Sequence, residues 1–386
     1  MFIIWPDFLL GQDRSIFFRH LTTNEGLSHN TVYAINEDDY GFIWIGTRSG
    51  LNRFDGRNFK IYDNNNYGLR NGYINTIFKD SRGRIWVGTQ EGGISLYNSD
   101  YDNFTTFTFN PDESLSLNHN NIQAIAEDSQ GRIWAGSHED DLYRIDENLG
   151  NLDRIHLKEK LPASFVIERI NAMYFENDSA LWLGTFGGLY IYDQGSGKIS
   201  PVLSDQGFIN ARIQCIFSEN QSIIWLGTTT GIIRFDKKNQ TEEFINSSNS
   251  SLTNDQILDI ERLPDGRIII ATDGGGLNIY DPADGSLSAQ ANDPNDPFTL
   301  SNNSVYDIYI DNYKGLWVGN YLGGVNYYNI FDWKFIPVRH QANNDESLSD
   351  NHVRTFYQDR EGNIWIGTLG GLNLYDPNTN KFKSYT

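Results

Sequence analysis

The stretch DDYGFIWIGTRSGLNRFD, Asp38–Asp55, decides the fold, because the chain repeats it. Trp44 lies at its centre. Trp86, Trp134, Trp182, Trp225, Trp317 and Trp365 stand in matching contexts, GRIWVGT, GRIWAGS, ALWLGT, IIWLGT, GLWVGN and NIWIGT, and Ile269 in GRIIIAT fills the remaining slot. Successive centres lie 42, 48, 48, 43, 44, 48 and 48 residues apart. Self-similarity at a period of this size marks a repeat architecture.

Other features keep step with that centre. A β-branched residue stands twelve positions earlier every time: Val32, Ile74, Ile122, Ile170, Ile213, Ile257, Val305 and Val353. An apolar residue follows seven or eight positions later, from Leu51 to Leu372. Three beyond it stands an aromatic residue or Ile145, then Asp or Asn. Within one repeat, Thr31–Glu37 reads as a first strand, the turn DDYG leads to FIWIGT, and LNRFD and NFKIYD supply a third and fourth. The segments are short and rich in β-branched and aromatic residues. Asp at the turn start with Gly at its fourth position suits a hairpin whose last turn residue has positive φ. Asp38–Gly41, Asp80–Gly83, Asp128–Gly131 and Asp359–Gly362 fit, whereas Ser218–Ser222 and Pro264–Gly266 depart from it. Nothing reads as a helix.

Four short strands per repeat predict an all-β fold, a β-propeller of four-stranded antiparallel blades with eight repeats. A solenoid is the rival, but its repeats are usually shorter, with fewer strands. The Trp on each second strand is expected to wedge between blades. Burying roughly 200 Å² at about 25 cal/mol/Å² gives an upper figure of about 5 kcal/mol for each one. All seven are therefore read as scaffold. IFFRH (Ile16–His20) resembles a fourth strand that closes a ring. This favours residues 16–329 as a seven-bladed propeller and 330–386 as an eighth repeat beginning a second one. An eight-bladed ring is the alternative.

The 386 residues carry a net charge of −20, with 39% hydrophobic and 14% aromatic residues. That is enough for a sizeable core, and the charge argues against nucleic acid or an anionic membrane as the main partner. Cys215 is the sole cysteine, so the chain has no internal disulfide and no cysteine-based zinc site. Residues 1–15 contain the apolar run MFIIWPDFLLGQ (Met1–Gln12), read as the remnant of a secretory signal; an ordinary edge strand or terminus is the plainer reading.

The combination L-S-x-N-x-V, D-x-x-G-x-I-W-I-G-T and G-L-x-x-F/Y-D, with starts at Leu27–Val32, Leu300–Val305 and Leu348–Val353, resembles the two-component regulator propeller repeat. The resemblance covers about residues 16–386. It implies the periplasmic sensor region of a hybrid two-component system that detects oligosaccharide fragments. In that family two seven-bladed propellers precede a β-sandwich, a membrane helix and a histidine kinase. The sandwich, span and kinase motifs are missing from this sequence. The implied partners are an oligosaccharide, a second propeller and kinase region of a longer protein, and a homodimeric partner in that longer context.

Second-to-third and fourth-to-first connections share one face. Long fourth-to-first loops occur at Asn110–Asn120, Asn292–Asn303 and Asn343–Asn351. The position four after each Trp slot varies while its surroundings do not: Arg48, Gln90, His138, Phe186, Thr229, Asp273, Tyr321 and Leu369. Such a ring offers stacking faces and hydrogen-bonding groups, as a sugar requires. Arg48, Gln90, His138, Phe186, Asp273 and Tyr321 are the rim candidates for ligand binding, against the plainer reading of drift at an exposed loop. Trp333, outside the Trp repeat, is either a stacking surface or blade packing.

The turn-plus-Trp pattern is similar to the Asp-box of sialidases, but the spacing differs and no Tyr–Glu pair stands beside Arg48, Arg70 and Arg212. The seven histidines are scattered without HExxH spacing. His29 and His119 share a loop position, which suits a turn. DGGGL (Asp273–Leu277) joins strands and is no phosphate cradle. No residue is assigned a catalytic or metal-binding role and no cofactor is called for. A propeller lyase or glycoside hydrolase, and a protein docking platform, are the competing functions.

Overall fold

A computed structural model describes residues 16–63, 67–107, 120–139, 141–146, 148–149, 151–161, 165, 167–202, 211–329, 340, 344, 346–377, 379 and 381–385. Met1–Gln12, His119 and Trp333 lie outside them. Among the described residues, eight four-stranded antiparallel sheets account for all the strands. A single 3-10 turn at Lys158–Lys160 is the exception to the helix-free reading. The chain divides into two compact units, one within residues 16–292 and 298–328, the other within 293–297 and 329–386.

The first unit holds seven blades. Their innermost strands are Val32–Glu37, Ile74–Lys79, Ile122–Glu127, Ile170–Phe175, Ile213–Ser218, Ile257–Arg262 and Val305–Ile310. Each packs beside the next, and that of blade 7 packs beside that of blade 1. Blade 7 has three strands of its own. Arg19–Leu21 supplies the fourth, with Arg19 opposite Tyr327 and Leu21 opposite Val325. The closure tie is therefore sheet hydrogen bonding from opposite ends of the unit.

Repeated residues meet across the seams. A Cβ added to Gly46 on blade 1 would lie 2.5 Å from Cγ2 of Ile74 on blade 2. At the closure, one added to Gly319 would lie 2.8 Å from Cγ1 of Val32. In the first unit, the glycine two after each Trp is thus a seat for the β-branched residue that begins the next blade. Trp44 is fully buried in a cluster with Ile74, Ile85, Val87 and Phe104 of blade 2, and Trp317 packs with Val32, Ile43 and Phe54 of blade 1. Both indoles thus sit between neighbouring blades.

Each turn acid is tied to its Trp. Trp44 Nε1–H donates to Asp38 Oδ2 at 2.8 Å, while Asp38 Oδ1 accepts the backbone N–H groups of Tyr40 and Phe42, both at 3.0 Å. The indoles of Trp86, Trp134, Trp317 and Trp365 donate likewise to Asp80, Asp128, Asp311 and Asp359. In blades 4 and 5, where the turn differs, Glu176 and Glu219 take over for Trp182 and Trp225. In blade 6 the Trp slot is Ile269 and the acid slot is Leu263. Both partners are absent together, as expected where a lone buried carboxylate would be costly.

In the second unit blade 8 has the same internal register, with Val353 opposite Thr368. Its packing differs. Val353, Phe356, Tyr357 and Leu372 are exposed, whereas Val32 and Val305 are fully buried.

Asp80→Ala is expected to destabilise the first unit by about 2–4 kcal/mol, because it strands an indole, two backbone N–H groups and Arg84. Asp265→Ala, on the blade 6 turn that serves no indole, should cost less than about 1 kcal/mol. Chemical denaturation followed by tryptophan fluorescence measures both. Hydrogen exchange should find the amides of Val353–Gln358 less protected than those of Val305–Ile310.

Candidate functional site at the axial mouth

The innermost strands begin at the face that carries the second-to-third connections, so their first residues surround the ring's axis there. The rim positions are anchored to them by equivalent backbone bonds. Arg48 N–H donates to Thr31 O, Gln90 to Tyr73, His138 to Asn121, Asp273 to Gln256 and Tyr321 to Ser304. Leu369 does the same to His352 in the second unit. Just before these strands, side chains close small turns: His29 Nδ1 accepts Thr31 N–H, as Asn71 accepts Tyr73 and Asn302 accepts Ser304.

One side of the mouth is a tyrosine wall from blades 7, 1 and 2. Tyr33 stacks on Tyr73 with ring centroids 4.9 Å apart and on Tyr306 at 5.3 Å, both nearly parallel. Tyr321 adds a fourth ring 5.8 Å from Tyr306. Tyr73 O–H donates to Tyr33 Oη at 2.7 Å. Burial raises the Tyr306 hydroxyl to about 12, with the Asp273 charge adding to the effect, and moves Tyr33 in the same direction. Tyr33 and Tyr306 remain neutral throughout the ordinary pH range.

The other side is cationic and comes from blades 3, 4 and 5. The guanidinium of Arg169 lies 5.1 Å from the Phe186 ring centroid and that of Arg212 lies 5.5 Å from it. Arg169 Nη2 donates to Gln123 Oε1 at 2.9 Å, while its buried Nε has no hydrogen-bond partner. Burial works against the charge on Arg169, with the facing Tyr73 hydroxyl acting the other way. Blade 4 departs locally from the ring pattern. Phe186 N–H reaches Glu168 O, one residue earlier than its counterparts, and Arg169 N–H donates to His138 O of blade 3. Arg169 takes φ = 45°, a region costly for a residue with a side chain.

The rim residues are thus drawn into different surroundings. Tyr321 joins the tyrosine wall and Phe186 underlies both arginines. Gln90 and His138 line a polar depression with Glu91, Asn120, Asn121 and Glu139. Partial burial and the nearby Arg169 charge lower the His138 imidazole from its ordinary value. Thr229 packs half-buried, and Leu369 belongs to the second unit. Tyr33, Tyr73, Tyr306 and Arg169 escaped the sequence reading, which followed the second strand, and Arg212 entered it only beside Arg48 and Arg70 in the sialidase comparison. The available signal was in the first-strand starts, where tyrosines, arginines and amides interrupt an otherwise apolar pattern.

Deeper along the same strands are three carboxylates. Asp259 Oδ2 accepts Ile308 N–H at 2.9 Å and Asp307 Oδ2 accepts Ile35 N–H at 2.7 Å, bracing blade 6 to blade 7 and blade 7 to blade 1. Burial, then mutual repulsion with Glu261, raises Asp259 to about 7; Asp307 is raised by burial and by Asp259. Burial also raises Glu261. Among the described residues, no group of three His, Cys, Asp or Glu side chains is placed to hold a metal ion.

Residues 26–49, 68–91, 116–139, 299–321 and 347–370 match the family model described as two component regulator propeller. The chain carries two-component regulator propeller repeats. Each matched stretch ends at or one residue past a rim position, so the family pattern covers the inner half of the blade. A stretch of 57 residues is 47% identical to histidine kinase P4 of Formosa agariphila, covering 15% of this chain and 4% of that protein. The extracellular domain of a putative hybrid two component system from B. thetaiotaomicron has the same fold, with a TM-score of 0.73 and 24% identity over 96% of this chain and 55% of that domain. The fold also occurs in virginiamycin B lyase from Staphylococcus aureus, with a TM-score of 0.59 and 14% identity over 81% of this chain and 98% of the lyase. The chain therefore spans about half of the two-component domain that it resembles.

The raised carboxylates set a pH dependence. Folded Asp259 holds its proton to higher pH than unfolded Asp259, so its contribution to stability is greatest below the ordinary carboxylate range and falls as pH rises towards about 7. Asp259→Asn removes that ionisation. The variant should gain melting temperature relative to the parent at pH 8, and the gain should shrink or reverse at pH 4.5, measured by thermal scans across pH.

Proposed function

We propose that this chain is a ligand-sensing propeller that binds an oligosaccharide at the axial mouth, as part of a periplasmic sensor of a hybrid two-component system. The observation that carries this reading is the stacked wall of Tyr33, Tyr73, Tyr306 and Tyr321 facing Phe186, Gln123 and the two arginines. Pyranose C–H faces pack on such rings, while the phenol, amide and guanidinium groups match hydroxyls. The rim candidates Arg48, Gln90, His138, Phe186, Asp273 and Tyr321 act with the first-strand tyrosines. The kinase belongs to a longer protein, as the relationship to histidine kinase P4 suggests, and the exposed face of blade 8 suits packing against further blades of a second propeller.

Binding rather than catalysis fits the carboxylates nearest the axis. Asp259 and Asp307 each hold a backbone N–H of the neighbouring blade, so these oxygens serve the ring. A lyase shares the fold, and fold alone does not assign an activity.

Thermal unfolding of the whole chain against a panel of oligosaccharides tests the proposal. A saturable rise in melting temperature with intact sugar is expected, since a ligand that binds only the folded state stabilises it. Tyr306→Ala should weaken that binding about tenfold or more, by loss of stacking area. Chromatography of the same mixtures should return the sugars unchanged; shortened or unsaturated products would replace the sensor reading with an enzymatic one.

A further inference from the structure

Several arginines elsewhere in this chain sit against carboxylates: Arg84 with Asp80, Arg132 with Asp128, Arg154 with Asp141 and Arg234 with Glu219. With 50 acidic residues against 30 basic ones, partners are plentiful. Arg169 and Arg212 differ. Both flank the Phe186 ring, and neither has a carboxylate partner among the described residues. Arg169 is half-buried, hydrogen-bonds a neutral amide, and leaves Nε without an acceptor. It is also held in left-handed backbone geometry while its N–H reaches the neighbouring blade. A buried cationic donor with no acceptor is unfavourable in the free protein. Its cost is offset when an anion arrives, and guanidinium groups fit carboxylate and sulfate oxygens in a forked geometry.

We infer that the sugar recognised at the mouth is acidic, a carboxylate- or sulfate-bearing oligosaccharide whose anionic group lies between Arg169 and Arg212 over Phe186 while an adjacent ring packs on the tyrosine wall. This rests on the sugar-binding reading above and narrows it. The paired arginines supply the charge selection, and Tyr33, Tyr73 and Tyr306 supply the sugar face. Arg48, on the tyrosine side close enough to Tyr33 to act on its hydroxyl, gives a third cation for a longer acidic chain. The overall charge of −20 repels free anions at long range, so attraction is confined to ligands that reach the mouth and stack there.

Calorimetric titration of the full chain at pH 7 with three probes tests this: an oligogalacturonate, a sulfated carrageenan oligosaccharide and a neutral cello-oligosaccharide of the same length. At least one acidic probe is expected to bind, with affinity falling about tenfold between about 50 and 500 mM salt. Arg212→Met should weaken it by about tenfold or more, and the Arg169→Met, Arg212→Met double variant should abolish it. The melting temperature of ligand-free Arg212→Met should match the parent, because Arg212 is exposed, so that its loss of binding is not a loss of fold. Preference for galacturonate or carrageenan tells carboxylate from sulfate recognition. Binding of the neutral probe alone, or acidic binding indifferent to the arginine variants, overturns the inference and leaves the sugar reading standing. Failure of all three probes to bind overturns both.

Discussion

The bond from each indole N–H to a turn carboxylate is the interaction on which the scaffold depends. It solves two problems at once. The tryptophan can be buried without an orphaned donor, and the tight turn gains an acceptor for two backbone N–H groups that the hairpin leaves unpaired. A buried carboxylate is acceptable only with several donors around it, and here three or four converge. Blade 6 shows the logic by omission: with Ile269 in the indole position, Leu263 replaces the acid, and the turn Leu263–Arg267 closes on backbone bonds and on the exposed Asp265, which accepts Arg267 N–H. Blades 4 and 5 keep the bond with a longer side chain, Glu176 or Glu219, from an altered turn.

With the second strand thus fixed, the seams follow. The indole fills the space above the next blade's core, and the glycine two residues on admits the next blade's leading Ile or Val to van der Waals contact. These contacts set where each innermost strand starts, and the strand starts define the mouth. The residues of the proposed site lie one position to either side of that leading residue: Tyr33 and Tyr306 after it, Tyr73, Arg169 and Arg212 before it. The scaffold tolerates variation there because the side chains project to the axis and not into a seam.

Fold and scaffold were legible because they recur. Trp44 and its counterparts, the residues twelve positions earlier, and the turn acids announce themselves by repetition; Trp44, Trp86, Trp134, Trp182, Trp225 and Trp317 are buried, while Trp365 on blade 8 is half-buried. The hydrogen bond between acid and indole was not read, although the six-residue spacing from Asp38 to Trp44 recurs throughout. The mouth was only half legible. Equivalence of the rim positions is visible in the sequence, and the structure places Phe186 and Tyr321 against first-strand residues there. What the sequence did not show is pairing across blades: Tyr33 with Tyr73 and Tyr306, or Arg169 with Phe186. Those contacts join residues with no fixed offset, and repetition says nothing about residues that are different in every copy.

The axis carries a gradient of charge that bears on how a ligand is held. Arginines stand at the mouth, while Asp259, Asp307 and Glu261 stand deeper on blades 6 and 7. Asp259 and Asp307 are engaged in bracing, and the raised proton affinity of all three reflects how poorly that environment receives negative charge. An anion drawn to Arg169 is therefore opposed from below and stays at the surface of the ring. The surrounding groups need little adjustment to receive it. Tyr33 is clamped between two rings, Tyr73 is hydrogen-bonded to it, and Arg169 is oriented by Gln123 and Phe186 before any ligand arrives. Side chains already ordered lose little freedom on binding, so more of the contact energy appears as affinity. The unpaired Nε and the left-handed backbone at Arg169 are the counterpart of that order: the free site is held in a conformation that an arriving anion, and not the empty protein, makes favourable.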